Sequence, residues 1–231
     1  TTIPVHFLCY FIVFLSSMPS LVVIYNSFRK TSGPVFQSGF GLDSYRRVIN
    51  DVPDAIFNSF LFSVSAVILI VLCGTLIGYV VARKPSILTG SLDSMLMIPY
   101  IVPGVVLGLG FIVSFNSKPI VLTGTAIIII LVIFIRRLPY SVRSSVSILK
   151  QINIGIEEAA ASLGAGPAKT FVKITLPLML PGVFAGAMMA FITAINELSS
   201  SIILYVGGTV TMPVRIYLSV LDGEFGTAAS L

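Results

Sequence analysis

Residues 157–177 read Glu157-Glu158-Ala159-Ala160-Ala161-Ser162-Leu163-Gly164-Ala165-Gly166-Pro167-Ala168-Lys169-Thr170-Phe171-Val172-Lys173-Ile174-Thr175-Leu176-Pro177. From Glu157 to Leu163 the run is made of good helix formers, with its two carboxylates in the first turn, where the helix dipole favours negative charge. Gly164 is a stop signal, and Gly166-Pro167 turns the chain. Three consecutive alanines give the short helix little bulk, so its surface is suited to entering a groove on a partner.

Outward from this stretch the chain changes character. It has 231 residues, 56% of them hydrophobic and 10% charged, where a soluble domain averages about 25% charged. That balance excludes an ordinary soluble fold and predicts an all-α membrane protein. Six of the fourteen Lys and Arg and two of the nine Asp and Glu lie between Arg136 and Lys173. No charged residue occurs in 1–28, 55–82, 94–117, 119–135 or 174–196. About 20 helical residues cross the hydrocarbon. The expected spans are therefore 4–28, 56–82, 94–115, 119–135 and 176–205, five complete helices, with a sixth starting near 225. The first residue is not Met and the last seven are apolar and small, so the chain is expected to be a segment of a longer product.

Net charge is +5, but the basic residues are scattered over the ends of apolar runs and form no stripe that would fit nucleic acid. Counting Lys and Arg on each side of the expected spans gives eight with the 136–173 segment and six opposite, a weak positive-inside bias. Between the first two spans, Tyr45, Val48 and Ile49 fall three and four apart, consistent with a short interfacial helix or a solvated loop. Gly74, Gly78 and Ala82 share one helix face, as do Gly182, Gly186, Ala190 and Ala194; each stripe predicts a close helix contact. Pro99 and Pro103 remove two backbone donors from one side of the third span and predict a kink there, which would suit either a pathway lining or plain packing. Glu197 is the one carboxylate within the fifth span. With Asn196 and Ser200 it marks either a translocation surface or a paired or solvated group.

No catalytic constellation and no metal set can be assembled. Cys9 and Cys73 lie in apolar runs as small packing groups, and His6 reads as an interfacial tip. The P-loop pattern G-x-x-x-x-G-K-[ST] is absent, so nucleotide must be handled by another chain.

The order Glu158-Ala159-Ala160, three residues, Gly164, nine residues, Ile174, one residue, Leu176-Pro177 resembles the signature of permease subunits of binding-protein-dependent type I ABC importers. Leu138-Pro139-Tyr140 with Arg143, and Met212-Pro213-Val214 with Ile216-Tyr217, extend the resemblance. It is nearest in appearance to the group serving ferric iron, phosphonates and polyamines. The resemblance implies a single permease domain whose 150–175 segment is a cytoplasmic coupling loop. Glu157, Glu158, Ala159, Ala160, Gly164, Ile174, Leu176 and Pro177 would engage an ABC ATPase dimer, which binds the ATP and magnesium. It further implies that this chain is no enzyme and carries no cofactor. A second permease half would complete the pore, as an identical chain, a paralogue or a fused half. An extracytoplasmic binding protein would deliver solute to the bacterial inner membrane. Asn196, Glu197, Ser200, Pro99 and Pro103 are the candidate pathway residues; a pore carboxylate would suit a cation such as ferric iron or a polyamine, and ferric iron is the expected substrate ahead of phosphonate or polyamine. Two rival readings are a secondary transporter using Glu197 as its ion site and a membrane scaffold without transport.

Overall fold

The structure, a computed structural model, describes residues 2–231, with side chains from residue 4 onward. The chain divides into two compact units, residues 1–57 with 210–231, and residues 58–209.

In the first unit, helix α1 (Thr2–Ser27) is exposed along its length from Pro4 to Tyr25, as a helix must be whose apolar surface is meant for lipid or another apolar partner. It leads into an antiparallel hairpin, β1 (Arg29–Ser32) and β2 (Val35–Phe40). Helix α2 (Asp43–Asp51) follows and buries Ser44 and Val48 on one face while Ile49 stays exposed, so of the two readings of this segment the helix forms. Further along the chain, α11 (Met212–Leu221) and α12 (Phe225–Ser230) complete this unit. Gly226 of α12 lies so close to Thr31 and to the Ser44 hydroxyl that a Cβ there would collide with both.

The second unit takes in α3 (Pro53–Arg83) from Asn58 onward, α4 (Ile87–Ile101), α5 (Gly104–Phe115) and α6 (Ala126–Gln151). Between α5 and α6 stands a small hairpin, β3 (Asn116–Ser117) and β4 (Ile120–Val121). Helix α7 (Gly155–Ser162) precedes α8 (Pro167–Thr170), a π-turn (Phe171–Thr175) and α9 (Leu176–Ile195); α10 (Ser201–Leu204) comes last. The core is the α6–α9 contact, where Ile128, Ile129, Val132, Ile133, Ala190 and Ala194 are buried with Ile70 of α3. Small residues set the helix spacing. A Cβ on Gly74 would lie 2.6 Å from Ser141, one on Gly78 2.5 Å from Ser145, and one on Gly182 2.7 Å from Ile148. Both stripes thus pack against α6, as their spacing predicts.

Four expectations change. The third span shows the expected kink, but it is sharp enough to make two helices meeting at a bend of 105°. Val102, preceding Pro103, is extended (φ −64°, ψ 133°), because the proline ring crowds the helical conformation of the residue before it. Pro99 stays inside α4. The fourth span does not end at Ile135. Its helix begins at Ala126 and runs through Arg136, Arg137 and Pro139 to Gln151, while Ile120 and Val121 are strand. Sequence alone puts Arg136 and Arg137 at a water interface; the fold instead gives both a buried partner. The fifth span stops at Ile195 and not at Tyr205, and it starts at Pro167. Finally, the two hairpins make the chain mostly helical and not purely so. Among the described residues, three helices are long and apolar enough to cross a membrane, Pro4–Ser27, Pro53–Arg83 and Pro167–Ile195. The bent α4–α5 pair would bring the number to four.

Candidate functional site

Helix α7 is built by its own backbone needs. Asn153 Oδ1 accepts the Gly155 N–H at 2.8 Å at its start. At its end Gly164 adopts φ +81°, the Gly164 N–H donates to Ala161 O and the Ala165 N–H to Ala160 O at 3.0 Å. This is the double closure of a Schellman cap, which needs a residue at ease in the left-handed region. Only Ala160 of α7 is buried; Glu158 and Ala159 are exposed, and Leu163 just beyond is 89% exposed. Ile174 falls in the π-turn and is half-buried, Leu176 opens α9 half-buried, and Pro177 is exposed.

Glu157 faces the opposite way, into its own chain. Its Oε1 accepts from Arg83 Nε at 2.9 Å and its Oε2 from the Tyr79 hydroxyl at 3.1 Å. Arg83 Nη2 also donates to Ile152 O at 3.0 Å. A cavity of about 280 Å³, lined by Tyr79, Ile154, Glu157, Glu158, Ala161 and Pro167, opens beside this clamp. The result is a small, apolar, exposed knob standing on a polar base that is held to α3.

A second polar centre lies deeper, about 15 Å along α6 from its start at 1.5 Å per residue. Glu197, 3% exposed, sits in the turn after α9 and accepts from both Arg136 and Arg137. Its Oε1 also accepts from Ser199 Oγ at 2.9 Å and Ser200 Oγ at 2.8 Å, and Arg136 reaches Ser199 at 3.1 Å. Gly104 at the head of α5 presses onto Ser199 and Arg136 with no room for a Cβ. Both carboxylate oxygens are therefore occupied, and the two guanidinium groups outnumber the one carboxylate. Of the candidate pathway residues, the fold joins Glu197 and Ser200 and brings the residue after Pro103 against their partners Ser199 and Arg136. Asn196 is exposed and donates to Ile192 O in its own helix; Pro99 is half-buried in α4. Among the described residues no group of three or more His, Cys, Asp or Glu could hold a metal.

Sequence reading missed Tyr79 and Arg83, although their i, i+4 spacing at the end of an apolar run was a signal. It also missed the pairing of Arg136 and Arg137 with Glu197, which the isolation of one carboxylate among apolar residues could have prompted.

Residues 74–222 match the family described as binding-protein-dependent transport system inner membrane component. The chain belongs to that family. Its family and its three or four apolar helices long enough to cross a membrane mark it as a multi-pass membrane protein, a permease of the type I ABC importer family. It is 33% identical over 174 residues to the ferric transport system permease protein FbpB of Actinobacillus pleuropneumoniae, covering 75% of this chain and 25% of that protein. The chain thus spans about a quarter of the length of that relative. It is 27% identical over 223 residues to the putative 2-aminoethylphosphonate transport system permease protein PhnV of Salmonella paratyphi A, covering 96% and 83% of the two chains. A bacterial ABC transporter involved in import of the acidic polysaccharide alginate has the same fold, with TM-score 0.74 at 14% identity over 99% of this permease and 90% of that chain.

Proposed function

We propose that this permease forms half of a solute pathway in the bacterial inner membrane and is driven by a separate ABC ATPase dimer docking on α7. The ATPase would bind ATP and magnesium, and a second permease half and an extracytoplasmic binding protein would complete the importer. The observation that carries this reading is the exposed helix Gly155–Ser162 bearing the Glu158-Ala159-Ala160…Gly164 spacing, braced from behind and open in front. Alanine side chains let another surface approach closely, and the exposed Leu163 offers an apolar anchor.

For the solute, ferric iron is the leading assignment and rests on the 33% identity to a ferric transport permease. It does not rest on Glu197, whose oxygens the two arginines and two serines take up. The same occupancy weighs against a secondary transporter with Glu197 as its ion site. A phosphonate is the second reading, favoured by the likeness to PhnV over 96% of the chain.

Reconstitution of the full-length permease with its ATPase and binding protein tests both parts. Replacing Glu158 with Arg is expected to abolish ATP-driven uptake while the permease stays in the membrane. Uptake without ATP, or at full rate in that variant, would refute the coupling role. Titrating the binding protein with ferric ion and with 2-aminoethylphosphonate separates the two solutes.

A further inference from the structure

Helix α7 is tied by short covalent links to α6 on one side and to α8 on the other. Its third tie is not covalent. Near the end of α3, Tyr79 and Arg83 lie one turn apart on one face. Arg83 grips Glu157 in the first turn of α7 and, through its other nitrogen, the Ile152 carbonyl where α6 ends. Tyr79 donates to the same Glu157 carboxylate, while its ring stands edge-on to Phe171, with centroids 4.8 Å apart. Phe171 opens the π-turn between α8 and α9, an irregularity that helices often keep at working positions. One turn of α3 therefore touches the end of α6, α7 itself, and the π-turn that leads into α9. The ion pair is shielded, with the two side chains 11% and 13% exposed, and Gly78 just before it packs on Ser145 and on the Val142 carbonyl of α6. Moving α7 without α3 would break both hydrogen bonds to the Glu157 carboxylate, one of them a charge-assisted pair.

Resting on the coupling reading above, we propose that Tyr79 and Arg83 are positioning residues that make α3 move with the coupling helix. The ATPase stroke then enters a span that has no chain connection to the docking loop.

The full-length permease, reconstituted with its ATPase and binding protein, is assayed for solute imported per ATP hydrolysed. Arg83→Glu and Glu157→Arg are each expected to lower that ratio by about tenfold, within the range of coupling between contacting residues. The exchanged pair Arg83→Glu/Glu157→Arg should recover most of it, whereas loss of a merely structural charge would lower protein amount and leave the ratio unchanged. Unchanged ratios in both single variants, or no recovery in the exchanged pair, overturn the proposal. Should the single variants fail to reach the membrane, Arg83→Cys/Glu157→Cys in a background free of Cys9 and Cys73 is joined with a short thiol cross-linker. Uptake that survives cross-linking supports joint movement, and uptake abolished by it overturns the proposal. A Glu158→Arg control with normal uptake would instead refute the docking reading itself.

Discussion

At the scale of single residues, Gly164 and Glu197 show how backbone and charge decide what a position tolerates. Gly164 has φ +81° and open space where a Cβ would stand, so a larger side chain meets strain and not collision within the chain. Gly164→Val is expected to cost roughly 1–2 kcal/mol of local cap stability, to leave the spans inserted and to block docking; Gly164→Asn should retain more uptake, because Asn accepts the left-handed region. Uptake assays at matched membrane levels compare the two. Glu197→Gln should behave differently. Removing the one carboxylate from Arg136 and Arg137 leaves buried positive charge unpaired, a loss of about 3–5 kcal/mol in comparable sites. The expected outcome is a lower Tm of the detergent-solubilised permease; an unchanged Tm would show that the arginines are satisfied by other means.

Among the elements, the packing of α6 against α9 and α3 depends on residues without bulk. A Cβ on Gly186 would come within 2.9 Å of Ser144 and 3.1 Å of the Ser141 backbone, and Ala190 is fully buried. Ala190→Phe should force α9 off α6 and destabilise the second unit by at least about 1–3 kcal/mol, as overpacking does in other cores. Limited proteolysis of that variant against the parent measures it, with equal resistance counting against a tight seam. Both small-residue stripes were visible in the sequence because four-residue spacing fixes a helix face whatever it packs on. What the stripes packed against was not visible. The true length of α6 was hidden for a related reason: Arg136-Arg137 reads as an interface marker unless Glu197, sixty residues on, is known to be beside it. Likewise Pro103 announces a distortion, but the angle of 105° comes from what α4 and α5 each pack against.

For the whole molecule, the prediction concerns partners. Uptake by the purified permease alone is expected to be nil, to require both ATPase and binding protein, and to follow the ligand preference of the binding protein. Reconstitution with each component omitted in turn checks this, and import by the permease alone would return the secondary-transporter reading to favour.

The sequence by itself determined the membrane class, the family and the position of the short helix α7, because hydropathy, small-residue spacing and the Glu158…Gly164…Pro177 pattern are local and survive without knowledge of neighbours. Only the tertiary structure decided where the charges go. It turned Glu157 inward to Tyr79 and Arg83 and left Glu158 outward. It also placed Glu197 at the centre of an arginine pair. The physical reason is one of range: a helix forms from contacts within four residues, whereas a buried charge is stable only beside an opposite charge that folding must bring from far along the chain.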